Sequence, residues 1–192
     1  MEEPCEDNTA WRRGLRRDMV ARRAALTDAG HAALSARIVA HALATLALPG
    51  VAAFCWPIKH EPDVRALLAS WAEAGTRTAL PVVVGAGQPL AFREWTPAAP
   101  LAPDRYGIPT PTAGEWLTPE LILLPLNGFD AAGYRLGYGG GYFDRTLAAL
   151  RPRPLAVGVG FEINRIDSIR PEAHDQRLDW IVTENGAFRP AA

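Results

Sequence analysis

Three features of this sequence predict a three-layer α/β/α fold built on a mostly parallel, Rossmann-like open sheet with helices on both faces. Apolar runs at 51–55, 121–124 and 155–159 lack polar alternation, which suits strands buried on both sides. Segments of helical period lie between the strands. A glycine cluster, 137–141, comes soon after the 121–124 run, on the side where open sheets keep their ligands.

In chain order, residues 1–8 are polar and acidic and read as a flexible tail, leaving 9–192 as a single domain. Residues 12–26 form a helix carrying Arg12, Arg13, Arg16, Arg17, Arg22 and Arg23, with Leu15, Met19 and Leu26 marking a packed face. Its arginines read either as a solvated surface or as groups overhanging an anion. Thr27 or Asp28 can cap a second helix whose buried positions are Leu34, Ile38, Ala42 and Leu46, ended by Pro49 and Gly50.

A βαβ unit follows: strand 51–55, helix 63–74 with Val64, Leu67, Leu68 and Trp71 inward, and strand 78–84. A turn at 85–89 leads to a hairpin or edge strand at 90–95. Six prolines, at 97, 100, 103, 109, 111 and 119, then punctuate a long irregular crossing, of a length usually kept for binding. Strand 121–124, the glycine loop, helix 142–150 and strands 155–159 and 180–183 complete the sheet.

Composition excludes several classes. Net charge is -1, with 48 % hydrophobic and 21 % charged residues, so there is no broad basic track for nucleic acid. Lys59 is the only lysine among 20 basic residues, so chemistry that needs a side-chain amine has one candidate. Cys5 and Cys55 form no CxxC pair or Cys/His cluster, which argues against structural zinc and a disulfide framework. With no leading apolar segment and no membrane-length run, a cytoplasmic protein is expected, monomeric or homodimeric, without membrane or nucleic-acid partners.

The chemistry concentrates in two segments. After the 121–124 strand, Gly137, Gly139, Gly140 and Gly141 allow backbone N–H groups to converge on an anion, helped by the first turn of the helix starting at Tyr142. Arg135 and Arg145 bracket this loop and can offset phosphate charge, while Asp144 suits a magnesium ion or a cap. Neither a Walker loop nor a dinucleotide fingerprint is present. The second segment, 56–63, follows the first predicted strand. In it Glu61 can cap the next helix or accept hydrogen bonds from a ligand, and Trp56 can pack in the core or stack on one. His174, Asp175 and Asp179 fit hard-metal ligation or a capped helix before a strand, and His31 and His41 read as surface or partly packed.

The run GFDAAGYRLGYGGGYFDR resembles the signature of the 5-formyltetrahydrofolate cyclo-ligase family, also called 5,10-methenyltetrahydrofolate synthetases. The likeness extends to the arginine-rich first helix, Trp56-Pro57 through Asp63, Leu80-Pro81-Val82, Gly107-Ile108-Pro109, and His174-Asp175 through Glu184. It implies ATP- and Mg2+-dependent closure of 5-formyltetrahydrofolate, with or without a polyglutamate tail, through a phosphorylated formyl group. On that likeness Arg12, Arg16, Arg135, Gly137, Tyr138, Gly139, Gly140, Gly141 and Tyr142 hold ATP. Trp56, Glu61, Tyr142 and Asn164 contact folate, Asp144 and Asp179 hold magnesium, and Arg145, Arg135 and Asp144 act in catalysis.

Three positions depart from the family pattern. Arg12 stands where a lysine is usual, Asn164 where a glutamine is usual, and Asn127 where an apolar residue is usual. These departures keep two other readings open: a related small-molecule kinase or phosphotransferase, and a non-enzymatic protein that binds nucleotide or folate.

Overall fold

The structure is a computed structural model that describes residues 7–191. Residues 1–6, which include Cys5 and most of the expected tail, lie outside the described residues. Asp7 already belongs to the fold: its side chain accepts from the Thr9 backbone N–H and caps α1 (Asn8–Ala24). Thr27 caps α2 (Asp28–Thr45) in the same way, through Gly30. The elements that follow are β1 (Val51–Ala53), α3 (Arg65–Glu73), β2 (Arg77–Val82), β3 (Ala91–Glu94), β4 (Leu101–Pro103), β5 (Pro109–Pro111), β6 (Trp116–Leu117) and β7 (Leu121–Pro125). Then come β8 (Gly128–Phe129), β9 (Arg135–Leu136), α4 (Tyr142–Ala149), β10 (Leu155–Val159), a 3-10 turn at Glu162–Asn164, β11 (Trp180–Thr183) and β12 (Gly186–Phe188).

Eight strands form one sheet in the order β12-β11-β10-β7-β1-β2-β3-β6. The five central strands are parallel, and β12, β3 and β6 join antiparallel at the margins. On one face Ile38 and Ala42 of α2 and Leu67, Leu68 and Trp71 of α3 pack on Ala52, Leu121, Leu123 and Val157. On the other, Leu147 of α4 packs with Ile122, Leu124, Ala156 and Ile181. The expected three-layer architecture is therefore present. Truncating one of these enclosed leucines to alanine should cost about 2–5 kcal/mol. Among the described residues no helix is long and apolar enough to cross a membrane.

The proline-rich stretch departs from the expected irregular crossing. β4 and β5 pair as a two-stranded ribbon in which Leu101 faces Pro111 and Pro103 faces Pro109. A ribbon outside the main sheet tolerates prolines because its outer edges need no partners. At its tip Asp104 Oδ1 accepts from the backbone N–H groups of Tyr106 and Ile108, fixing the turn. β3 makes the expected hairpin with β2 but is not an edge, since β6 covers it.

The direction in which successive strands are added reverses between β1 and β7. From β1 the sheet grows through β2 to β3, and from β7 it grows the other way through β10 to β11. The two loops leaving these neighbouring strands, 54–64 and 126–141, face one another at a topological switch point, where a crevice forms beyond the carboxyl ends of the strands.

Candidate active site

α1 crosses that end of the sheet, and its inward stripe is not hydrophobic. The residues it buries are Arg12, Met19 and Arg23. Such cations are tolerated only with partners, and each has them. Arg12 donates Nη2–H to Asp175 Oδ2 at 2.5 Å and Nε–H to the Ile169 carbonyl at 3.2 Å. Arg23, with no exposed surface, donates to Asn127 Oδ1 at 2.7 Å, to the Asn127 and Lys59 carbonyls, and to the Tyr138 hydroxyl at 3.1 Å. Arg135 is the third internal arginine; it donates to Asp144 Oδ1 at 3.0 Å and to the Gln176 carbonyl.

The glycine loop is shaped for an anion. Gly139 and Gly141 hold φ of +94° and +62°, and Gly141 starts α4 with no side-chain cap, leaving first-turn N–H groups unfilled. A Cβ on Gly139 would sit 3.4 Å from the Arg16 guanidinium carbon. Arg16 reaches the loop by donating Nε–H to the Gly137 carbonyl at 2.9 Å. Its two terminal nitrogens have no hydrogen-bond partner among the described residues, and burial followed by the neighbouring Arg12 lowers its pKa. Arg145 folds back over the same loop, with Nη2 on the Gly140 carbonyl at 2.8 Å, while its buried Nε has no partner among the described residues. These groups fit phosphate oxygens. Tyr142 lines the outer rim, where its hydroxyl meets that of Tyr106 from the β4–β5 tip at 3.0 Å. Tyr106 escaped the sequence reading, and the Gly107-Ile108-Pro109 likeness beside it was the signal that could have found it.

For a divalent cation the fit is one carboxylate. Asp144 Oδ1 accepts from Arg135 and from the Gln176 backbone N–H, each at 3.0 Å, and its second oxygen has no hydrogen-bond partner among the described residues. Magnesium held by one carboxylate and phosphate oxygens would suit that atom. The structure corrects the pairing with Asp179. That residue precedes β11, at the opposite end of the parallel strands, and its Oδ2 accepts from Arg153 and from the Ala156 backbone. His174 and Asp175 do not lie on a capped helix, since 171–179 contains none. Among the described residues no three His, Cys, Asp or Glu side chains converge on a metal position.

The facing loop carries Glu61, enclosed to 3 % exposure. It does not cap α3, which lacks a side-chain cap. Its Oε2 accepts from the Ile58 backbone N–H at 3.0 Å and its Oε1 from the Tyr138 hydroxyl at 2.6 Å. Burial is the main cause that raises its pKa, opposed by these hydrogen bonds and by Arg23 and Lys59. The loop holds an uncommon conformation, with Lys59 and His60 at φ of +49° and +56°. Arg23 accounts for part of this by binding the Lys59 carbonyl, and His31 Nε2 meets the Glu61 carbonyl at 2.8 Å. The Lys59 ammonium rests 4.8 Å above the Tyr138 ring.

Two further residues expected to contact substrate have packed surroundings. Trp56 packs at the margin of the core, edge-on to Trp95 and under the Arg65 guanidinium. Asn164 is fully enclosed; its Nδ2 donates to the Asn127 carbonyl at 2.9 Å and its Oδ1 is unpartnered. Trp56 keeps part of its surface exposed, whereas Asn164 has none. Beneath Glu61, a cavity of about 10 Å³ bounded by Cys55, Leu123, Pro125 and Val159 has room for about one water. A larger cleft of about 210 Å³ is bordered by the same loop, beside His31, Lys59, His60, Glu61 and Arg65.

The sequence profile of the 5-formyltetrahydrofolate cyclo-ligase family matches residues 8–184. The chain is 31 % identical over 138 residues to 5-formyltetrahydrofolate cyclo-ligase of Mycolicibacterium smegmatis, covering 66 % of this chain and 70 % of that protein. It is 31 % identical over 131 residues to the Escherichia coli K12 protein of that name, covering 64 % and 71 %. The fold is similar to the solution structure of Aquifex aeolicus 5,10-methenyltetrahydrofolate synthetase, with a TM-score of 0.81 and 27 % identity over 94 % of this chain and 93 % of the other.

Proposed function

The chain belongs to the 5-formyltetrahydrofolate cyclo-ligase family, and from that premise we propose that it spends ATP, with magnesium, to close 5-formyltetrahydrofolate to 5,10-methenyltetrahydrofolate. One observation carries the reading: an anion cradle and a buried carboxylate face each other across the switch point. ATP supplies the leaving group. The formyl oxygen attacks the γ-phosphorus and ADP departs; N10 then attacks the formyl carbon and gives up its proton, and phosphate departs with the original formyl oxygen.

The residues divide accordingly. N–H groups at 139–142 and the free nitrogens of Arg16 receive phosphate oxygens, and Arg145 offsets charge as it develops. The second oxygen of Asp144 is available to magnesium, with Arg135 fixing the carboxylate through the first. Glu61 accepts the N–H edge of the pterin. Purified protein with ATP, magnesium and 5-formyltetrahydrofolate should develop the ultraviolet absorbance of the methenyl product. No signal above an ATP-free control overturns the reading.

A further inference from the structure

We propose that Tyr138 occupies the folate position on Glu61 in the unliganded protein, so that substrate binds by exchanging with the Tyr138 hydroxyl. The inference rests on the assignment of Glu61 to folate, and it makes Tyr138 a positioning residue that sets substrate affinity.

The hydroxyl donates to Glu61 Oε1 at 2.6 Å and accepts from Arg23 Nη2 at 3.1 Å. It therefore relays between a buried cation and a buried carboxylate that do not touch each other. A pterin edge would present two parallel N–H donors to the two oxygens of Glu61. On a carboxylate only 3 % exposed, one of those oxygens is taken by the Tyr138 hydroxyl and the other already accepts from the Ile58 N–H. The space below it holds about one water. A flat bicyclic ligand that pairs with Oε1 has to displace the Tyr138 hydroxyl.

The tyrosine is also built to leave. Gly137 and Gly139 flank it, the latter in left-handed backbone, and a Cβ on Gly137 would meet nothing within 4 Å. The residue is 38 % exposed, and its ring lies under the Lys59 ammonium rather than in the core. Because the closed contact ties the phosphate loop to the folate loop, occupation of Glu61 by substrate frees residues 137–141 to settle on phosphate.

The test uses the full chain in two measurements, calorimetric binding of 5-formyltetrahydrofolate without nucleotide, and hydrogen–deuterium exchange of 137–141 without ligand. Competition with a closed state weakens apparent affinity by the fraction open, so Tyr138→Phe should tighten folate binding by up to about tenfold. The same variant should raise exchange at 137–141, and Glu61→Gln, which alters the contact from its other side, should raise it too. Weaker folate binding in Tyr138→Phe, or exchange unchanged in both variants, overturns the proposal. Raised exchange with no folate bound by either the wild type or Tyr138→Phe overturns the cyclo-ligase reading while supporting the latch.

Discussion

Arg23 and Asn127 form a matched pair inside the protein: Nη1 of the first donates to Oδ1 of the second at 2.7 Å, with neither side chain more than 1 % exposed. The asparagine that departs from the family pattern thus has a physical cause in this chain. A fully enclosed guanidinium with no carboxylate in contact needs neutral acceptors, and Asn127 supplies both its side-chain and its main-chain oxygen.

Stability should therefore respond to the two residues as a unit. Asn127→Leu alone removes one acceptor from a buried cation and is expected to cost about 2–3 kcal/mol. Arg23→Leu alone leaves the Asn127 and Lys59 oxygens without their donor and should cost a similar amount. The double variant should be less destabilised than the sum, by about 1–2 kcal/mol. Urea unfolding of the four proteins measures this coupling, and strict additivity would show that the pair does not act as one.

These internal arginines also mark where sequence reasoning stops. Runs such as 121–125 and 155–159 revealed the central sheet because unbroken aliphatic stretches can be buried on both faces without partners. Arg12, Met19 and Arg23 recur at helical spacing, but a hydrophobic pattern assigns the two arginines to solvent. Their burial depends on Asp175 and Asn127, more than 100 residues away. The glycine loop was legible because positive φ and an uncapped helix start are local. Asp179 misled for the converse reason: its position relative to Asp144 depends on strand direction, which local sequence does not encode. The β4–β5 ribbon stayed hidden because proline reads as a breaker even where an outer edge tolerates it.

Within the glycine loop, position decides the cost of a side chain. Gly137→Ala should be nearly neutral for folding, since its added Cβ meets nothing within 4 Å. Gly139→Ala must hold φ near +94° against the Arg16 guanidinium, which should cost about 1–2 kcal/mol. Thermal midpoints of the two variants check the contrast, and equal shifts would argue against it.

Glu61 should make stability and folate affinity move in opposite directions with pH. Its raised folded pKa means the native state holds the proton at pH values where the unfolded chain, near 4.5, has lost it. Its stabilising contribution is therefore full below about 4.5 and lost as pH rises through the raised value. Glu61→Gln should gain stability relative to wild type across that window. Folate affinity, which needs the carboxylate, should weaken in wild type as pH falls through the same window. Denaturation and folate binding measured at matched pH values test both directions; a stability difference that does not change with pH would refute the assignment.

Asp144 serves the fold before it serves any metal. Asp144→Asn leaves the enclosed Arg135 without its counter-charge and should destabilise the ligand-free protein by about 3 kcal/mol. If the free oxygen of Asp144 also holds magnesium, the variant should in addition lose the extra thermal protection that magnesium gives in the presence of ATP. Protection equal to that of wild type would confine Asp144 to the structural role.

Arg145 separates catalysis from architecture. Its Nη2 braces the Gly140 carbonyl, an exposed contact worth little to stability, while the buried Nε stands without a partner beside the phosphate cradle. Cationic groups that meet charge developing in the transition state act on kcat, whereas contacts present before reaction act on KM. Arg145→Ala should therefore lower kcat by about a hundredfold, the loss of roughly 3 kcal/mol expected for one such donor. The KM for folate and the urea midpoint should change little. Glu61→Ala should show the reverse split, a raised folate KM with kcat less affected. If Arg145 only braces the loop, its variant should keep kcat and show at most a small stability loss. Steady-state kinetics beside unfolding curves distinguish the two, because a brace and a charge-stabilising group cannot give the same pair of results.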